Sequence, residues 1–136
     1  MSRTVVKTGV SLPRKLVEDL DSIIKKLGLP SRSHAVAEAV LRYVADYSWL
    51  LEREGEVAGA IGVLYEHDRP NIAPRLTSIQ HEFLDIIKST IHMHLDEHRC
   101  LELILVHGRL NKVKELVKKL ESVPGILITK NIIVKL

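Results

Sequence analysis

Residues 90–108 read TIHMHLDEHRCLELILVHG, and the parity of this stretch decides the fold. Apolar and polar residues alternate on both sides of a short polar break, the pattern of two β-strands joined by a hairpin loop. With residues 95–99 as a five-residue loop, Cys100 lies opposite His94 and Glu102 lies opposite His92. Ile91, Met93, Leu95, Leu101, Leu103 and Leu105 occupy the other face.

Outward from the hairpin the elements fall into a regular order. VAGAIGVLYEH, residues 57–67, is a first strand whose glycines suggest close packing against a neighbour. Asn71 is expected to cap a helix running to about Ser89, with Ile72, Leu76, Ile79, Phe83, Ile86 and Ile87 on one face. After the hairpin, Leu110, Val113, Leu116, Val117 and Leu120 mark a second helix, and PGILITKNIIVKL closes as a strand. The order βαββαβ predicts a ferredoxin-like sandwich over residues 56–136, with helices on one face of an antiparallel sheet. The aliphatic face of the hairpin is expected under the helices, which would leave the histidines and Cys100 on the bare side.

The first fifty residues read differently. RTVVKTGVSL alternates, with Thr8, Val10 and Leu12 on one side and Lys7, Gly9 and Ser11 on the other. Pro13 suits a helix start, and Leu16, Val17, Leu20, Ile23, Ile24 and Leu27 form one stripe. Gly28 is a C-terminal cap, and Ser31 or Ser33 caps a second helix that buries Val36, Val40, Tyr43, Val44 and Tyr47. A hinge is expected at Glu54–Glu56. The fold class is therefore α+β in two small domains, 1–50 and 56–136. One strand cannot form a sheet alone; pairing it with the same strand of a second chain gives a two-stranded ribbon and an obligate dimer. Such a ribbon fits the DNA major groove, with Lys7, Gly9 and Ser11 toward base edges and Arg32 and Ser33 at a helix start toward phosphate.

Composition sets the outer bounds. The chain has 136 residues, a net charge of +3 and a single cysteine. A mild positive charge permits nucleic acid without requiring it, and one cysteine cannot form an internal disulfide. No apolar run is long enough to span a bilayer and no secretory leader core is evident, so the chain is expected in the cytoplasm.

Nitrogen and sulfur donors concentrate at the hairpin. The strand period of two puts His92 and His94 on one face, joined by Cys100 across about 5 Å. Two imidazoles and a thiolate make an incomplete coordination sphere, and borderline ligands of this kind suit zinc, nickel or copper. His81 falls roughly opposite the apolar stripe of its helix, so a fourth donor comes better from His81 of another subunit. His34, His67, His98 and His107 are read as structural or solvated. A Cys–His nucleophile lacks an oxyanion hole or glycine-rich elbow.

TGVSLPRKLVEDLDSIIKKLGLPSRSHAVAEAVLRYV, residues 8–44, resembles the ribbon-helix-helix repressors: an alternating strand, LP opening the first helix, LD within it, and G-x-x-x-R-S-x-x-V between helices. The resemblance implies that Lys7, Gly9 and Ser11 read bases. Gly9 contributes no side chain there, and His34 stands where relatives commonly carry a capping glutamate. The spacing H-x10-H-x-H-x5-C from His81, with YEH before it and CLE at its end, resembles the nickel-responsive repressors of the NikR type. That resemblance implies an ACT-like metal-binding domain and square-planar Ni(II), one per subunit, on His92, His94, Cys100 and a neighbour's His81. It also implies Tyr65, Gln80 and Glu102 beside the ligands and a homotetramer of two DNA-binding dimers. The function implied is nickel-dependent repression of nickel-uptake genes at a palindromic operator, without catalysis. The rival is a metal-storage or metallochaperone protein whose first block only dimerises.

Overall fold

The computed structural model describes residues 4–136, and the chain divides into two compact units, Met1–Tyr43 and Val44–Leu136. In the first unit, residues 4–13 form neither helix nor strand. A strand is defined by ladder hydrogen bonds, and the expected ribbon takes its ladder partner from a second copy. Helix α1 (Arg14–Leu27) starts directly after Pro13, whose carbonyl accepts from Val17 N–H at 3.2 Å. It stops at Gly28, whose φ of 65° is the left-handed conformation a glycine adopts without strain, and Leu29 N–H closes back on Ile24 O at 3.1 Å. Helix α2 (Arg32–Tyr47) is capped by Ser31, whose Oγ accepts from His34 N–H at 3.1 Å.

The apolar stripe of α1 is formed but barely covered. Leu16, Ile23 and Leu27 are 52%, 51% and 68% exposed, and Ala35 is the only buried residue among the described residues of this unit. The two helices of this unit thus leave most of their apolar side chains exposed within the single chain. A short 3-10 turn, Ser48–Leu50, follows α2 and places Trp49 in the core of the second unit.

That second unit is a four-stranded antiparallel sheet with two helices, in the order β1 (Glu56–Glu66), α3 (Ile72–His81), β2 (Ile87–His94), β3 (Arg99–Arg109), α4 (Leu110–Glu121), β4 (Ile126–Lys135). Strand order across the sheet is β2-β3-β1-β4, the split βαβ topology expected for this element order. Gly59 is required by the β1–β4 contact: a Cβ there would come within 2.1 Å of the Ile132 carbonyl oxygen.

Three expectations need correction. The helix after Asn71 ends at His81 rather than near Ser89. Its last turn tightens, with Glu82 N–H on Ile79 O and Phe83 N–H on Gln80 O, and Ile87 already pairs with Val106 of β3. Phe83 and Ile86 are buried beneath the turn that follows, so their spacing imitated a helix that tertiary packing ends early. Asn71 lies in the left-handed region at φ 66° and makes no side-chain cap bond.

The third correction concerns the sheet faces. Cys100, Glu102, Ile104 and Val106 are the buried set of β3, together with Val57, Ile61, Val63 and Tyr65 of β1. The donors therefore lie on the helix-covered side. The bare face carries Ile91, Met93, Leu101, Leu103, Leu105, Ile128, Ile132 and Val134, all half-buried or exposed. Both faces of this sheet are rich in aliphatic residues, so alternation marks two faces without saying which one the helices cover.

Candidate metal centre

The hairpin register is the one the loop parity implies: His92 pairs with Glu102 and His94 with Cys100. Cys100 is fully buried on β3, whereas β2 is an edge strand and leaves His92 and His94 exposed. The thiol is flanked by both imidazoles, with His92 Nε2 at 3.3 Å and His94 Nδ1 at 3.1 Å from Sγ. With metal bonds of about 2.0–2.3 Å, neighbouring N and S ligands stand about 3.1 Å apart at right angles and about 3.5 Å apart in a tetrahedron. His94 stands at the right-angled separation from the thiol and His92 midway between the two, so each imidazole is spaced to share an ion with Sγ, and this donor chemistry suits nickel or copper as well as zinc. Burial pushes the Cys100 thiol up, and the carboxylates of Glu102 and Asp96 add to the shift. A cation at Sγ would reverse that balance, because metal binding takes the thiolate.

A polar chain backs the donors. Tyr65, aligned with Cys100 across β1–β3, points its hydroxyl at Glu102 Oε2 (3.4 Å) and at His92 Nδ1 (3.5 Å). Burial, reinforced by Glu102 and Cys100, raises the Tyr65 phenol well above its usual value, so it stays a donor. Gln80 Nε2 donates to Glu102 Oε1, and Thr90 Oγ1 donates to Gln80 Oε1 at 3.2 Å. Glu102 is the one buried charged side chain among the described residues, and two donors satisfy it. The chain leaves His92 Nε2 toward the thiol while Nδ1 is held from behind, the arrangement that orients a ligating histidine.

His81 is the last residue of α3 and exposed. It lines a groove of about 310 Å³ with Tyr65, Gln80, Thr90, His92 and Glu102. His81 borders this groove from the end of α3, while Thr90 and His92 border it from β2. A further group of donors gathers around the thiol without His81. That group is His67, His94 and Cys100, whose ligand atoms all lie within 4.8 Å of one another. His67, expected to be structural or solvated, thus stands beside the thiol. The signal that finds it is the β1–β3 register: Tyr65 pairs with Cys100, so a residue two further along returns to the same face. His34 lies by Glu38 and His107 by Glu56, at 4.0 and 3.5 Å.

In the first unit, Lys7, Gly9, Ser11 and Ser33 are exposed, and nothing lies within 4 Å of where a Gly9 side chain would begin. Arg32 is engaged in a two-pronged pair with Asp21, Nε–Oδ1 3.0 Å and Nη2–Oδ2 2.7 Å. That hydrogen bonding holds the Asp21 carboxyl below the usual range. A phosphate contact by Arg32 requires exchange of this partner. No helix among the described residues is long and apolar enough to cross a membrane.

Comparison with known proteins agrees with both halves. Residues 6–47 match the ribbon-helix-helix protein family of the copG type, and residues 58–134 match the NikR C terminal nickel binding domain. A protein of Methanocella arvoryzae is 41% identical over 93% of this chain and 90% of its own length. One of Pyrococcus furiosus is 41% identical over 90% and 88%, and both bear the name "Putative nickel-responsive regulator". Among solved structures, an uncharacterized protein of Thermotoga maritima superposes with a TM-score of 0.52 at 15% identity, covering 61% of this chain and all of that one. That likeness concerns the fold alone.

Proposed function

Because this chain belongs to the nickel-responsive regulators that join a ribbon-helix-helix domain to a NikR nickel-binding domain, a family of regulators and not of enzymes, we propose that it represses nickel-uptake genes. In this reading Ni(II) licenses binding to a palindromic operator in the cytoplasm. Residues 1–50 dimerise and bind DNA through Lys7, Gly9 and Ser11, with Arg32 and Ser33 near phosphate. Residues 56–136 bind the metal and join two dimers into a tetramer. Each subunit carries one ion on His92, His94, Cys100 and a neighbour's His81.

The observation that carries the metal reading is the buried Cys100 thiol held between two imidazole nitrogens at 3.1 and 3.3 Å. The shared groove supports the contribution in trans. A two-fold contact is self-complementary, so whatever one chain's His81 touches on its neighbour, the neighbour's His81 touches in return. A face holding both His81 and His92 generates two equivalent sites per contact. The apolar bare face of the sheet supports further association. Bound nickel supplies a charge that ties four side chains from two subunits. Tyr65, Glu102, Gln80 and Thr90 link that centre to α3, so one arrangement of the dimers gains affinity over the others.

The test mixes two defective proteins, His81→Ala and His92→Ala. After subunit exchange, a mixed assembly regains nickel sites built from one chain's His81 and another's strand donors. If the mixture regains none, the shared site is wrong. A storage or chaperone protein would bind nickel yet show no nickel-dependent affinity for a palindromic promoter.

A further inference from the structure

We propose that His67, His94 and Cys100 of a single chain form a second coordination set, alternative to the nickel set and suited to tetrahedral divalent ions of the zinc class. The inference rests on the metal reading above, because the two sets share His94 and Cys100.

Strand order supplies the geometry. Cys100 lies on β3 between β2, which carries His92 and His94, and β1, which leads into His67. The two candidate partners, His67 and His92, thus flank the thiol from opposite strands. All three ligand atoms of the second set lie within 4.8 Å of one another, with the His67 and His94 rings 5.7 Å apart and nearly perpendicular at 86°. A tetrahedral edge is about 3.5 Å, so a modest turn of the His67 ring closes the set on an ion, with water as fourth ligand.

The position of His67 is built. Its backbone N–H donates to His98 O at 2.8 Å, and the adjacent Asp68 carboxylate accepts from His98 Nδ1 at 2.7 Å. These two bonds fasten residues 67–68 to the hairpin turn. That turn is itself tied by Asp96, which accepts from the His98 and Arg99 backbone N–H groups at 2.9 and 2.7 Å. The His67 side chain is half-buried, and its ring stands edge-on to that of His94.

The consequence is discrimination by shape. A zinc-class ion has no geometric preference from its d-electrons and settles on three donors of one chain plus water. Nickel favours the planar set, which must include a second chain. An ion on the intrachain set leaves the neighbour's His81 unengaged and does not join subunits. Selectivity then comes from what the ion assembles, since raw affinity follows the same order for all sites.

The experiment titrates the full-length protein, and its His67→Ala, His67→Gln and His81→Ala variants, with Zn(II) alone, Ni(II) alone, and Co(II) as a spectroscopic substitute for zinc. The expected result is that both His67 variants bind zinc more weakly by at least the roughly 100-fold upper limit for losing a group that only orients a ligand and lose the intense visible bands of four-coordinate cobalt, while their nickel affinity holds. His81→Ala should lose nickel affinity and keep zinc. Zinc affinity and cobalt spectra unchanged in both His67 variants overturn the proposal and leave the nickel set intact. Zinc lost together with nickel in His81→Ala also overturns it. Nickel affinity unchanged in His81→Ala would instead refute the intersubunit site, so the two failures are distinguishable.

Discussion

Tyr65→Phe isolates the link between the buried carboxylate and the metal-facing histidine. The ring, 2% exposed, stays in place, so packing is preserved and only the hydroxyl is lost. That hydroxyl reaches Glu102 Oε2 at 3.4 Å and His92 Nδ1 at 3.5 Å. A hydrogen bond to a charged group is worth about 1.5–3 kcal/mol at good geometry, but distances at the long limit weaken it. Glu102 also keeps Gln80 as a donor. The expected loss of apoprotein stability is therefore about 1 kcal/mol, read by urea unfolding. His92 loses its rear support, so nickel affinity should fall about tenfold, the low end for a group that orients a ligand; this is about 1.4 kcal/mol. Competition titration against a chelator measures it. A nickel dissociation constant unchanged within about twofold, well short of the effect expected for an orienting group, refutes the reasoning, whatever happens to stability.

Further outcomes follow from other parts of the chain. Lys7→Ala should weaken operator binding at fixed salt by about 1–3 kcal/mol and relax preference at one position per half-site; a binding assay showing neither change removes the strand as reader. Asp96 is held at about 2 by Arg99 and by the backbone N–H groups of His98 and Arg99. Its folded value lies below the unfolded one, so its stabilisation is present above about pH 4 and is lost as pH falls toward 2. Asp96→Asn should remove that part of the acid dependence in a circular dichroism titration. Ile132, 74% exposed on the bare sheet face, should tolerate lysine within about 0.5 kcal/mol in the isolated fold. The same change should lower the oligomeric state seen by sedimentation, and an unchanged assembly would show that this face is not the contact.

Periodicity alone carried much of this molecule. The βαββαβ order, the turn at Gly28, and the pairing of His94 with Cys100 and His92 with Glu102 all follow from spacing, because strand period, glycine conformations and loop parity are local constraints. That His92, His94 and Cys100 share one face was legible for the same reason. Tertiary structure decided what spacing leaves open. Helix α3 ends at His81 because Ile87 gains a partner in β3, a long-range pairing that no helical wheel contains. The donors lie on the helix-covered side because two aliphatic faces compete for one layer of helices, and alternation does not rank them. His67 joins His94 and Cys100 because β1 sits beside β3 in register. A residue 27 positions from His94 in the chain reaches the same thiol only once the sheet order is set.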